Sequence, residues 1–128
     1  MNGFRYLVFI DDDNANHVYH EIIVQESGMC SNNQFFTSPI KALDTLRPLD
    51  LDKFPDIIFL DINMPEMTGW EFLDKLKEFM PEIPQRIVML SSSSYHKDRE
   101  KGKAHSMILD YIEKPLSEED LKRLLGKI

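Results

Sequence analysis

The sequence predicts an α/β protein built on a parallel sheet of five strands, with helices on both faces. Five short apolar runs alternate with stretches of helical periodicity along all 128 residues. Three of these runs are continuously apolar, which is typical of strands that helices cover on both faces. Strands that alternate with helices in this way pair in parallel and connect through right-handed crossovers.

The five predicted strands are the apolar runs themselves. They read "YLVFI" (6–10), "QFF" (34–36), "IIFL" (57–60), "IVML" (87–90) and "MILDYI" (107–112). In an open α/β sheet, ligands bind beyond the carboxyl ends of the strands. The residues that directly follow each run are therefore the candidates for a functional site.

Five helices are predicted from apolar periodicity and from the residues at their ends. They cover 14–27, 39–47, 69–80, 97–106 and 117–127. Serine caps are expected before the second helix and at the start of the fifth, and Gly28 stops the first. The fourth has the least apolar support, and Gly102 lies inside it.

The first helix is expected to bury an apolar face near Ala15, Val18, Ile22 and Ile23. His17 and His20 lie three residues apart on the same helix. Because a third ligand is lacking, a metal site there is not favoured.

Composition bounds the function class. The length favours one domain over 1–128 with no output domain, and the net charge of −7 argues against direct nucleic-acid binding. The single cysteine, Cys30, excludes an intrachain disulfide and fits a reducing compartment. No apolar run approaches the roughly 20 residues of a membrane span, and the first is too short for a signal peptide. We therefore expect a cytoplasmic protein without a membrane partner.

Charged and polar side chains follow four of the five predicted strands. Asp11, Asp12 and Asp13 follow the first, Asp61 the third, Ser91 the fourth and Lys114 the fifth. Parallel pairing brings these ends to one edge of the sheet. Asp13 is expected to cap the first helix, which leaves Asp11 and Asp12 beside Asp61.

Three carboxylates at one place repel one another and need a cation. No histidine or cysteine follows a strand, and oxygen donors suit Mg²⁺ (or Mn²⁺). A lysine and a hydroxyl opposite the metal form a receptacle for a phosphoryl group. A carboxylate beside both is placed to attack phosphorus and form an acyl phosphate.

With these residues in hand, the sequence resembles the receiver domain of two-component response regulators, of the chemotaxis-regulator type. The matching motifs are "FIDDD" (9–13), "LDINMPEMTGWEFL" (60–73), "VMLSS" (88–92) and "YIEKPL" (111–116). The resemblance covers essentially the whole chain. It implies a flavodoxin-like doubly wound sheet in the order 2-1-3-4-5.

The resemblance also implies a role for each matching residue. Asp61 matches the phosphoacceptor, and Lys114 and Ser91 match the groups that bind its phosphoryl product. Asp11, Asp12, Asp61 and the backbone carbonyl of Asn63 match the Mg²⁺ ligands, with Asp12 more direct than Asp11. Ser91 and Tyr111 match the switch pair. The Lys114–Pro115 bond is expected to be cis, and Thr68 departs from the aspartate of many relatives.

The function implied is a signalling switch rather than an enzyme with an external substrate. The resemblance leads us to expect that a sensor histidine kinase or a phosphotransfer protein donates a phosphoryl group to Asp61. It also implies that the protein assists its own phosphorylation and dephosphorylation. Phosphorylation is then expected to remodel the surface of helix 4, strand 5 and helix 5, which would bind a downstream protein.

Three other interpretations remain open from the residues. The first is a phosphorylation-independent pseudo-receiver that serves as a protein-interaction module, although its expected loss of an acid or the lysine is not seen. The second is a metal-dependent phosphatase, which would want a second acid where Asn63 stands. The third is a flavin-binding flavodoxin, which the acids after the first strand disfavour because they would repel the flavin phosphate.

Overall fold

The computed structural model describes residues 3–91 and 106–128. It contains one sheet of five parallel strands in the order β2-β1-β3-β4-β5, which confirms the predicted fold class and strand order. The predicted helix over 97–106 lies, apart from Ser106, outside the described residues. Within the two described ranges, no helix is long and apolar enough to cross a membrane.

The strands lie where the apolar runs predict them, within a residue or two. Their bounds are β1 Leu7–Ile10, β2 Asn33–Phe36, β3 Ile57–Asp61, β4 Ile87–Ser91 and β5 Ile108–Glu113. β1 lies between β2 and β3, and its last residue pairs with the last residue of β2 and with Leu60 of β3. Asp11 therefore leaves β1 at the level where Asp61 ends β3.

The helices confirm most of the predicted end signals. They are α1 Asn14–Ser27, α2 Pro39–Leu46, α3 Gly69–Phe79 and the C-terminal helix Glu118–Leu125, with a short 3-10 helix at Leu51–Lys53. Asp13 caps α1 through its side chain, as predicted. Gly28 ends α1 with a φ of 66°, a left-handed conformation that glycine adopts without steric strain.

Thr68, which the sequence marks as a departure, has a structural role. Its hydroxyl accepts from the backbone N–H of Glu71, and the Glu71 carboxylate accepts from the backbone N–H of Thr68. This capping box satisfies two backbone donors that the start of a helix leaves unpaired. It fixes the beginning of α3 only seven residues after Asp61.

Two apolar clusters cover the two faces of the sheet. Alternate strand residues point into each cluster, so Val8 and Ile10 join one while Leu7 and Phe9 join the other. The first cluster packs under α2 and α3, and the second packs under α1 and the C-terminal helix. A slip of one residue would move every side chain to the wrong face, so the two-sided core fixes the strand register.

The predicted buried face of α1 is wrong for Ala15, Val18 and Ile22, whereas Ile23 is partly buried against the second cluster. Val18 is 54% exposed and Ile22 is 48% exposed, whereas His17, His20 and Val24 are the buried residues of this helix. Both sets have helical spacing, and apolar periodicity favours the set with more aliphatic side chains. The structure buries the imidazoles instead, because one has a polar contact at the strand ends and the other stacks on Phe9.

The first residue of α3, Gly69, packs closely against the backbone of Asp61. A Cβ at this position would lie 2.9 Å from the Asp61 carbonyl oxygen and 2.9 Å from Cε of Met89. We expect Gly69→Ala to lower the free energy of unfolding by about 1–3 kcal/mol, measured by urea denaturation.

Gly126→Ala is the matched control. Its Cβ would meet nothing nearer than 3.5 Å, and its φ of −70° suits alanine. It should change stability by less than about 1 kcal/mol, in the stabilising direction. Equal losses in the two variants would contradict the close approach at Gly69.

Candidate functional site

Three carboxylates meet at the carboxyl edge of the sheet. Oxygen atoms of Asp11, Asp12 and Asp61 all lie within 4.8 Å of one another. Asp11 is 2% exposed and Asp61 is 6% exposed, whereas Asp12 faces solvent. The structure thus brings together the three acids that the strand ends predict.

Lys114 reaches this cluster from the end of β5. Its Nζ lies 2.9 Å from Oδ2 of Asp11 and 3.5 Å from Oδ1 of Asp61. Its backbone N–H donates to the carbonyl of Ser91 at 2.7 Å, which ties the end of β5 to the end of β4. The bond from Lys114 to Pro115 is cis, as the resemblance implies.

Asp11 is the most firmly held of the three acids. Its Oδ1 accepts from the backbone N–H of Asp13 at 2.9 Å. Its Oδ2 accepts from Nδ2 of Asn16 at 3.0 Å and from Lys114. A carboxylate with three donors has a fixed orientation and limited capacity for a further direct ligand. Asp12 is exposed beside it and is the freer of the two.

Burial and the neighbouring charges shift the pKa values of Asp61 and Lys114. Burial, reinforced by the negative charge of Asp11, raises the pKa of Asp61 to about 6, although Lys114 and the N–H of Asn63 oppose the shift. Burial lowers the pKa of Lys114, but its hydrogen bond to Asp11 and the two negative charges outweigh burial and raise it overall. The ammonium of Lys114 therefore does not offset the combined effect of burial and of Asp11 on the pKa of Asp61.

The other predicted site residues lie at the same edge of the sheet or close to it. Ser91 is the fully buried last residue of β4 and pairs in register with Glu113. Asn63 is exposed in the loop after β3, and its backbone N–H donates to Oδ1 of Asp61 at 3.4 Å. Tyr111 lies two positions before Glu113 in β5 and is half-buried against the α2–α3 cluster. Their functional roles stay predictions.

Two residues at the site were missed by the sequence interpretation. The side-chain amide of Asn16 donates to the carboxylate of Asp11. Nε2 of His17 lies 2.7 Å from the backbone carbonyl oxygen of Asp11. Both lie in the first turn and a half of α1, directly after the acids. The sequence shows two polar residues soon after the acids, but it does not show that they lie on the side of α1 that faces the sheet.

The donor set fits a hard divalent cation. Three carboxylates within 4.8 Å supply oxygen donors and an excess of negative charge. Oxygen ligands of this kind suit Mg²⁺, which retains part of its hydration shell and tolerates an open site. The exposure of Asp12 leaves the cluster accessible from solvent.

Comparison with known proteins decides the family. The family model described as "Response regulator receiver domain" matches residues 7–126. The chain belongs to this family. It is a receiver domain of the kind found in two-component response regulators, and receiver domains are signalling domains.

A two-component response regulator from Cytophaga hutchinsonii has a solved structure that is 30% identical. It superposes with a TM-score of 0.85 over 98% of this chain and 96% of the other. The receiver domain of sensor histidine kinase PA1611 from Pseudomonas aeruginosa PAO1, with magnesium coordinated in its active-site cleft, has the same fold. That receiver domain is 22% identical, with a TM-score of 0.73 over 98% of this chain and 96% of the other.

One curated relative is longer than this chain, and the match covers only part of it. Two-component response regulator ORR1 of Oryza sativa subsp. japonica is 35% identical over 126 residues. This match spans 95% of the chain described here and 54% of the rice protein. The receiver domain thus corresponds to about half of that relative.

The raised pKa of Asp61 predicts a stability that depends on pH. Because the folded-state pKa exceeds the unfolded value near 3.8, Asp61 favours folding below pH 4 and loses that contribution as pH rises through about 6. Without metal, Asp61→Asn should therefore be more stable than the unmodified protein at pH 7–8, by up to about 3 kcal/mol. The gain should vanish near pH 4.

Urea denaturation in EDTA from pH 4 to 8 measures this difference. Asp74→Asn, on the exposed face of α3, is the control and should show no comparable gain. A gain for Asp61→Asn that does not change with pH would contradict the electrostatic explanation.

Proposed function

We propose that this receiver domain is a phosphoacceptor switch in which Asp61 takes a phosphoryl group from a partner protein. The observation that carries the proposal is the meeting of Asp11, Asp12 and Asp61 with Lys114 at one sheet edge. A buried carboxylate flanked by further acids and an ammonium is suited to accept and then hold a phosphoryl group.

In the proposed reaction, an Oδ atom of Asp61 attacks phosphorus in line with the bond to the donor. The bond from phosphorus to a donor histidine nitrogen breaks as the acyl phosphate bond forms. The leaving imidazole keeps the electron pair and takes up a proton. Asp61 must be ionised to attack, and the ammonium of Lys114 favours its ionised form.

Asp11, Asp12, Asp61 and the backbone carbonyl of Asn63 are the residues proposed to hold Mg²⁺ (or Mn²⁺). When bound, the ion supplies positive charge that offsets the charge of the acids and of the phosphoryl oxygens. Magnesium in the cleft of the Pseudomonas aeruginosa relative supports this assignment. Among the ligands, Asp12 has the freedom to approach the ion that the fixed Asp11 lacks.

Lys114 and Ser91 are proposed to bind the phosphorylated product. Nζ of Lys114 is 3.5 Å from the carboxylate that would carry the new group. A phosphoryl group near −2 in charge attracts the ammonium and accepts a hydrogen bond from the Ser91 hydroxyl. Movement of Ser91 would make room for Tyr111, which lies half-buried two positions before the end of β5.

The proposed output is a change at the surface formed by helix 4, strand 5 and helix 5 in the numbering of the prediction. Strand 5 is β5, and helix 5 is the C-terminal helix Glu118–Leu125. A downstream protein target would read this surface, and a sensor histidine kinase or phosphotransfer protein would act as donor. We also propose that the site assists both phosphorylation and dephosphorylation of Asp61.

Phosphorylation by a small donor tests the proposal directly. With acetyl phosphate and Mg²⁺, the intact mass should rise by one phosphoryl group, and Asp61→Asn should show no rise. Asp74→Asn removes an exposed carboxylate and should be modified like the unmodified protein. The absence of an adduct on folded protein, with and without Mg²⁺, would favour a phosphorylation-independent interaction module.

Neighbouring acids give a matched test of the metal ligands. Asp12→Asn removes an exposed carboxylate of the cluster and should weaken Mg²⁺ binding at least about tenfold. Asp13→Asn should leave affinity within about threefold, since the Asp13 side chain accepts from the N–H of Ala15 and asparagine caps helices equally well.

Calorimetric titration with Mg²⁺ measures both variants. The fluorescence of Trp70, on α3 close to Asp61 in sequence, is a second readout. Equal losses in the two variants would contradict the assignment of Asp12.

A further inference from the structure

His17 is a buried polar residue that the proposed reaction does not use. It is 4% exposed and lies on the face of α1 that packs against the sheet. Its Nε2 is 2.7 Å from the carbonyl oxygen of Asp11 and 2.9 Å from the carbonyl oxygen of Phe36. Asp11 directly follows β1, and Phe36 is the last residue of the neighbouring strand β2.

The two contacts fix the protonation of the ring. Both neighbours are carbonyl oxygens, so Nε2 must carry the proton and donate to them. The other ring nitrogen, Nδ1, is buried and has no hydrogen-bond partner within the described parts of the chain. Burying an unpaired nitrogen is unfavourable, and an aliphatic residue would avoid it. The bridge between the carbonyls is thus the specific contribution of a histidine here.

This bridge lies directly behind the acids. The Asp11 carbonyl belongs to the peptide that leads into Asp12, so its direction helps to set where the Asp12 side chain projects. The Asp11 N–H donates to the same Phe36 carbonyl at 3.0 Å. His17 and this N–H together hold the Asp11 backbone against the end of β2.

We propose that His17 is a positioning residue, which holds the peptide after Asp11 so that Asp11 and Asp12 face Asp61. It acts through the backbone carbonyl of Asp11, and its two hydrogen bonds go to backbone oxygens rather than to a carboxylate of the acid cluster. Its effect on metal binding rests on the proposed function, whereas its effect on the Asp11 backbone does not. The two effects can therefore be measured separately.

Three variants separate positioning from packing. His17→Leu removes the donor and keeps an aliphatic side chain in the core. His17→Gln keeps an amide nitrogen as many bonds from Cα as Nε2 and offers two N–H groups for the two carbonyls. His20→Leu is the matched control, since His20 is equally buried on α1 but stacks on Phe9 with ring centroids 5.1 Å apart.

Hydrogen exchange without metal tests the geometry. The reporter is the Asp11 amide, and the Ile58 amide, which donates to the Arg86 carbonyl within the sheet, corrects for global stability. Relative to Ile58, the Asp11 amide should exchange about tenfold faster or more in His17→Leu. His17→Gln and His20→Leu should keep the unmodified ratio.

Magnesium affinity tests the consequence for the site. Residues that orient metal ligands typically change affinity about 10–100-fold when they are removed. We expect a loss in this range for His17→Leu, and values within about threefold of the unmodified protein for His17→Gln and His20→Leu. Calorimetric titration at a temperature where all variants are fully folded gives these values.

The outcomes are distinct. An unchanged Asp11 exchange ratio in His17→Leu, or an equal change in His20→Leu, overturns the positioning role. Changed exchange with unchanged Mg²⁺ affinity also overturns it, because the acids would then not depend on the bridge. If the unmodified protein binds no Mg²⁺, the proposed function fails, and the exchange ratios alone decide whether His17 holds the Asp11 backbone.

Discussion

The ion pair between Lys114 and Asp11 depends on the parallel register of the whole sheet. The two residues are 103 positions apart in sequence, yet their charged atoms lie 2.9 Å apart. Contacts between sequence neighbours cannot bring together two residues so far apart in the chain. Each follows its own strand, and the two-sided core fixes the level at which those strands end. The site therefore depends on burial across four strands before any polar contact can form.

The same strand register places two buried acids close together, which is unfavourable for folding. Asp61 and Asp11 end adjacent strands at one level, and burial raises the pKa of Asp61 to about 6 with Asp11 reinforcing the shift. A hydrophobic residue in either place would avoid this repulsion. Unfavourable charge of this kind is common where a protein must bind a cation or a phosphoryl group. The hydrogen bonds from the Asp13 N–H and from Asn16 hold the Asp11 carboxylate in place against the repulsion.

Features fixed by local or strictly periodic signals could be predicted from the sequence. The apolar runs predict the strands, and Asp13, Gly28 and Ser117 mark helix ends because capping depends on neighbouring residues. The buried face of α1 could not be predicted, because its phase is set by contacts with the ends of β1 and β2. His17 was missed for the same reason, since its acceptors are a nearby carbonyl and one 19 residues away.

A crystal structure grown with Mg²⁺ and beryllium fluoride, which mimics a phosphoryl group, tests the central claim most directly. The account predicts beryllium bonded to a carboxylate oxygen of Asp61, with its fluorines in place of phosphoryl oxygens, and the metal about 2.0–2.1 Å from oxygens of the acid cluster. Nζ of Lys114 should leave Asp11 and contact a fluorine atom. A metal bound elsewhere, or an Asp61 that stays unmodified while Lys114 keeps its 2.9 Å contact, would contradict it.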